Sequence, residues 1–176
     1  MRLPFIIILT LIFIVGCSEE EIPTLEGNIN EYSKNKETIL NYFDKENIVV
    51  FQYMKNHNKI VVLGGVKNNT EYIGNKEVAV TINGTDNSDL AFFYNDQYIH
   101  PISKRQYVWG MVKDTDVSEV TIEYFNDEQL VFSDSTGIVN NLFLTELIVD
   151  SEGPYKRKFV LKGPEGEVIK EIMNSD

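Results

Sequence analysis

The chain has 176 residues, with 27 acidic against 16 basic side chains, a formal net charge of −11 at pH 7, one cysteine and two histidines. Such a charge opposes nucleic-acid binding, where Lys and Arg must displace counterions from phosphates, and opposes adhesion to an anionic membrane through the polypeptide itself. A lone cysteine excludes an internal disulfide, and a chain of this size buries enough surface to fold without a metal.

Met1-Arg2-Leu3-Pro4 precede Phe5 to Val15, which are apolar except for Thr10, and Gly16-Cys17 close the run. A positive start, an apolar stretch of about a dozen residues and a small residue at the cut make a secretory signal. The run is shorter than the roughly 20 residues of a membrane-crossing helix. Ile14-Val15-Gly16-Cys17 resembles the lipobox of bacterial lipoproteins. The resemblance implies that the Cys17 thiol receives a diacylglycerol group, that residues 1–16 are removed as signal peptide, and that Cys17 becomes the acylated, palmitate-bearing first residue. Two acyl chains anchor stably where one binds only marginally. The expected location is the extracytoplasmic face of the cell membrane.

Residues 17–28 read as an acidic tether, because Ser18 to Asn28 hold four glutamates, a proline, a glycine and only Ile22 and Leu25 as large apolar side chains. From Ile29 to Asp44 the apolar residues Ile29, Tyr32, Ile39, Leu40 and Phe43 recur at spacings of three, four and seven. That spacing predicts an amphipathic helix of three to four turns, capped by Asn28 or Asn30. Beyond Asn47 the pattern becomes β. Ile48 to Met54 and Ile60 to Val66, joined by Lys55-Asn56-His57-Asn58-Lys59, predict a buried hairpin.

Val78 to Ile82 predict a half-buried strand ending at Asn83-Gly84, and Asn95-Asp96 predict a turn between Phe92-Phe93-Tyr94 and Tyr98-Ile99. Tyr107 to Val112, Val120 to Tyr124 and Leu130 to Phe132 follow, divided by turns at Asp114-Thr115-Asp116 and Asn126-Asp127. A long run from Ile138 to Val149 comes next. The chain closes on a hairpin, Lys158 to Lys162 and Glu167 to Ile172, turning at Gly163-Pro164-Glu165-Gly166. The expected fold class is α+β: one amino-terminal amphipathic helix packed on predominantly antiparallel β structure, with a sheet followed by a sandwich-like carboxy-terminal half. The folded domain would span 29–176, with Ser88 to Arg105 as a seam between subunits 29–100 and 101–176.

The lipobox, the early helix, the stretch Trp109 to Ile122 (WGMVKDTDVSEVTI) and the hairpin Phe159 to Ile172 (FVLKGPEGEVIKEI) together resemble a group of small uncharacterised lipoproteins of low-GC Gram-positive bacteria. The resemblance implies an envelope location and brings no activity with it.

A search for chemistry finds little convergence. His57 and His100 have no ligand spacing, so no metal site is expected. Asp114 to Glu119 and Asn83 to Asp89 have oxygens at alternate positions, but lack the glycine and bidentate glutamate of a calcium loop and read as solvated turns. No Gly-x-Ser-x-Gly elbow exists, and Ser33-Lys34-Asn35-Lys36 reads as helix surface. Gly64-Gly65 sits within an apolar strand and reads as a bulge or close backbone approach rather than a phosphate cradle. Tyr94, Tyr98, Tyr107, Trp109, Tyr124 and Tyr155 offer a binding platform or a core, with Tyr107 and Trp109 on one face of a strand. No catalytic residue, cofactor or metal is assigned.

The reading is a non-enzymatic binding or interaction module of the cell envelope. It is held to the membrane by diacylglycerol on Cys17, and its partner would be an envelope protein, peptide or glycan. The competing reading is an envelope hydrolase whose site draws on distant residues such as His100 and nearby carboxylates.

Overall fold

The computed structural model describes residues 24–33, 37–82, 92–149 and 154–174. Cys17 and the lipobox lie outside these residues, as do Lys34 to Lys36 and Asn83 to Asp89. Among the described residues there is one short helix, α1 (Leu25–Ser33), and no helix long and apolar enough to cross a membrane. Eleven strands make up most of the rest: β1 (Thr38–Phe43), β2 (Ile48–Lys55), β3 (Asn58–Lys67), β4 (Glu71–Ile82), β5 (Phe92–Ile99), β6 (Gln106–Val112), β7 (Glu119–Asn126), β8 (Gln129–Gly137), β9 (Leu142–Leu147), β10 (Tyr155–Lys162) and β11 (Val168–Asn174).

The strands form three antiparallel sheets. The first is the meander β1-β2-β3-β4, the middle one is β5-β6-β9, and the third runs β11-β10-β7-β8. Apolar clusters define how they stack. Ile48, Val50, Val61 and Leu63 of the first sheet meet Tyr98, Tyr107, Trp109, Leu142 and Leu144 of the middle one. Val108, Val112, Phe143 and Leu147, on the opposite face of the middle sheet, meet Val120, Ile122, Tyr124, Phe159 and Leu161 of the third. The outer face of the first sheet carries Val49, Phe51, Ile60, Val62 and Val66, covered by Ile29 and Leu25 of α1. The middle sheet is thus buried on both faces, which is why Tyr107 to Val112 is a continuous apolar run rather than an alternating one. Gly110 lies where the packing is closest: a Cβ there would overlap the Phe93 carbonyl and the Phe143 ring.

The helix predicted over Ile29 to Asp44 does not run that course, and the α+β class is wrong: the described residues are mostly antiparallel β, with one nine-residue helix that ends at Ser33. Residues 38–43 are strand β1, paired with β2, and a bulge falls between Ile39 and Asn41. Ile39 and Tyr42 face the helix side, while Leu40 and Phe43 face the middle sheet. A strand buried on both faces is apolar throughout, and an inserted residue changes the spacing on each face from two to three. Spacings of three are what a helix also produces, so the periodicity misleads. The helix lies earlier, and its first turn is capped by Thr24, whose Oγ1 accepts from the Gly27 amide at 3.0 Å. Leu25 to Asn28, read as the end of the tether, belong to this helix, and Asn28 Nδ2 donates to the Thr70 carbonyl at 2.7 Å.

Most turns fall where asparagine accepts a left-handed backbone. Asn56-His57 and Asn68-Asn69 have positive φ and close the β2–β3 and β3–β4 hairpins. The run from Ile138 to Val149 is broken by another such pair. Asn140 and Asn141 (φ 52° and 65°) turn the chain from the third sheet into the middle one, with Val139 bridged to Leu142. The turn expected at Asn95-Asp96 is instead a bulge inside a continuous β5. It directs Asp96 toward the third sheet and Tyr98 toward the first, although both positions are even-numbered. Residues 100–105 connect β5 to β6, so the 100/101 boundary falls inside a hairpin of the middle sheet. Gly64-Gly65 coincides with a register shift between β3 and β4, and a Cβ on Gly64 would overlap the Tyr72 ring.

Candidate functional site: a polar groove at one end of the sheets

The β1–β2 turn brings Lys45 and Glu46 to the end of the stack, and the β5–β6 turn brings Arg105 to the same place. Two cavities, of about 430 and 260 Å³, share Lys45, Glu46, Arg105 and Tyr107 and so form one groove. The larger lobe adds Asp134, Ser135 and Thr136 from β8 and Leu144 to Glu146 from β9. The smaller adds Asn47, Val66, His100, Ile102 and Ser103. Its combined size falls in the usual range for small-ligand sites, about 300–1,000 Å³.

At the groove, threonine side chains tie the middle and third sheets together. Thr136 Oγ1 donates to the Leu144 carbonyl at 2.9 Å, and Thr145 Oγ1 donates to Asp134 Oδ2. Tyr107, directly opposite Glu146 across the β6–β9 ladder, forms the buried floor. Burial, followed by the nearby Glu146 carboxylate, holds its phenol above the usual tyrosine range, with Arg105 acting in the opposite direction. Across the mouth, Arg105 Nη1 meets Glu146 Oε2 at 2.9 Å. Their side chains are 60% and 39% exposed, so solvent screens the pair and it contributes less than about 1 kcal/mol. Its donors and acceptor can therefore be given up to a ligand at small cost.

His100 is buried against this groove but serves the turn. Its Nδ1 accepts from the amides of Ile102 and Ser103 at 3.3 and 3.1 Å, which places the ring proton on Nε2, 3.2 Å from the Asn47 carbonyl. Gly65 makes room for it, since a Cβ there would come within 3.0 Å of Nε2. His57 is exposed in the β2–β3 turn. The two histidines therefore lie in different turns, and although His100 shares the smaller lobe with Glu46 and Ser103, both its ring nitrogens are engaged with backbone groups. The Asp114 to Glu119 turn is closed on itself, with Asp114 Oδ1 accepting from the Asp116 amide at 3.0 Å. Among the described residues no three metal-ligating side chains converge.

Of the aromatic residues, Tyr98, Tyr107 and Trp109 are core between the first and middle sheets, and Tyr107 and Trp109 do share a face. Tyr124 belongs to a buried polar group absent from the sequence reading. Its hydroxyl donates to Asp96 Oδ2 at 3.0 Å, and Arg157 Nε donates to the same oxygen at 2.6 Å, with the guanidinium 5.7 Å from the Tyr124 ring centre. All three are under 8% exposed. None of Lys45, Glu46, Arg105, Asp134 or Glu146 stood out in the sequence, since only strand register brings them together. Compared with protein-family models, curated proteins and solved structures, the chain matches none.

Proposed function

We propose that this chain is a membrane-anchored extracytoplasmic lipoprotein whose β domain is a non-enzymatic binding module. The observation that carries the anchor is Ile14-Val15-Gly16-Cys17 at the end of an apolar run, with the sole cysteine at the position that lipidation requires. The binding half of the reading draws support from the groove, a concavity of polar side chains on rigid sheet ends. A hydrolytic site on His100 has less support, because both ring nitrogens are engaged with backbone groups. Replacing Cys17 by Ser tests the anchor: the protein should leave the membrane fraction or persist as unprocessed precursor. Normal processing with full membrane retention would refute it.

A further inference from the structure

We propose that the groove binds an uncharged oligosaccharide, lying along both lobes; this rests on the reading of the domain as a binding module and names its ligand class. Its chemistry eliminates the alternatives in turn. An anionic ligand would meet Glu46, Glu146 and Asp134, and a cationic one would meet Lys45 and Arg105. An acyl chain or apolar peptide side chain would find only Leu144 and the Tyr107 ring in the larger lobe, and Val66 and Ile102 among polar and charged groups in the smaller. What suits a wall of carboxylates interleaved with guanidinium and ammonium groups is a ligand rich in hydroxyls, each of which both donates and accepts.

The Arg105–Glu146 pair supports this directly. It sets a strong donor and a strong acceptor 2.9 Å apart over the Tyr107 floor, where adjacent hydroxyls of a sugar ring can replace each partner's bond to the other. Because the pair is half-exposed, little is lost when it is exchanged for bonds to the ligand. The two lobes share Lys45, Glu46, Arg105 and Tyr107, with Glu146 on the larger side, so a chain of at least two rings would place one ring on either side of Arg105.

The test uses the purified full-length chain in detergent and a panel of immobilised glycans, followed by titration of the best neutral trisaccharide with the protein in solution. Neutral oligosaccharides should bind saturably. Glu146→Gln and Arg105→Gln should each weaken binding at least tenfold, with unchanged thermal transitions. Glu123→Gln, on the outer face of the third sheet, should leave it unaltered. Raising salt from about 0.05 to 0.5 M should change affinity less than twofold, since screening acts on charged ligands. Absence of neutral-glycan binding, indifference to both groove variants, or preference for acidic glycans or basic peptides with steep salt dependence would each overturn the proposal. Membrane release of the Cys17→Ser protein is read separately, so anchor and ligand class can fail independently.

Discussion

Replacing Asp96 by Ala should be among the most damaging single substitutions outside the apolar core. Asp96 Oδ2 accepts from both Arg157 Nε at 2.6 Å and Tyr124 Oη at 3.0 Å, in a site where both charged side chains are 9% exposed. Truncation takes the carboxylate away from a guanidinium already removed from water, and removing one partner of such a pair costs about 3–5 kcal/mol. For a domain of this size each kcal/mol lowers Tm by about 2–4 °C, so the transition should fall by roughly 6–20 °C. Urea unfolding followed by fluorescence of Trp109, the only tryptophan and fully buried, measures the loss directly. Replacing Asp96→Leu, Arg157→Met and Tyr124→Phe together should recover part of the stability, because the buried carboxylate and the guanidinium that faces it are then removed together. A loss below about 1 kcal/mol for Asp96→Ala would refute the reasoning.

Tyr98→Phe and Tyr124→Phe should differ in sign. The Tyr98 hydroxyl is buried without a partner among the described residues, so its removal should be neutral or stabilise by up to about 1 kcal/mol, whereas Tyr124→Phe should cost about 1 kcal/mol. Burial raises the pKa of both phenols above the ordinary value of 10.0, so their contribution is whole below pH 10 and is lost as pH rises above it. The slope should approach about 1.4 kcal/mol per pH unit for each phenol and decrease in Tyr98→Phe, as read from urea midpoints between pH 8 and 11. Gly110→Ala should lose at least about 3 kcal/mol or fail to fold, since neither the Phe93 carbonyl nor the Phe143 ring has space to move within a sheet packed on both sides; soluble yield and Tm report it. Deleting residues 24–28 should lower stability by about 2 kcal/mol, as read from urea unfolding, because Leu25 covers the first sheet and Asn28 bonds Thr70.

Much of the strand pattern was legible because its signals are local. The connector around Asn56-His57 carries its turn chemistry within two residues, and Gly163 to Gly166 does the same for β10–β11, whereas the turn at Asn68-Asn69 was not read. The bulges were not legible. At Ile39–Asn41 and at Asn95–Tyr98 an inserted residue imitates a helical spacing in the first case and a turn in the second. Both are visible only once the partner strand shows which residues oppose one another. The stacking order was equally hidden, since Tyr107 to Val112 reads only as apolar, and it is the sheets on either side that divide it into Tyr107 and Trp109 on one face, Val108 and Val112 on the other.

By itself the sequence determined the β-rich character of the chain, the turns near residues 56, 115, 127 and 165, and the expectation of a lipid anchor at Cys17. These follow from side-chain type over a few neighbouring residues. Only the tertiary structure decided that residues 38–43 are strand, that Asp96 and Arg157 form a buried pair, and that Lys45, Arg105, Asp134 and Glu146 line one groove. Asp96 and Arg157 are 61 residues apart in the chain, and Arg105 and Glu146 are 41 apart. No local propensity encodes such contacts, which are set by register between strands and by which sheet faces are left to bury against one another.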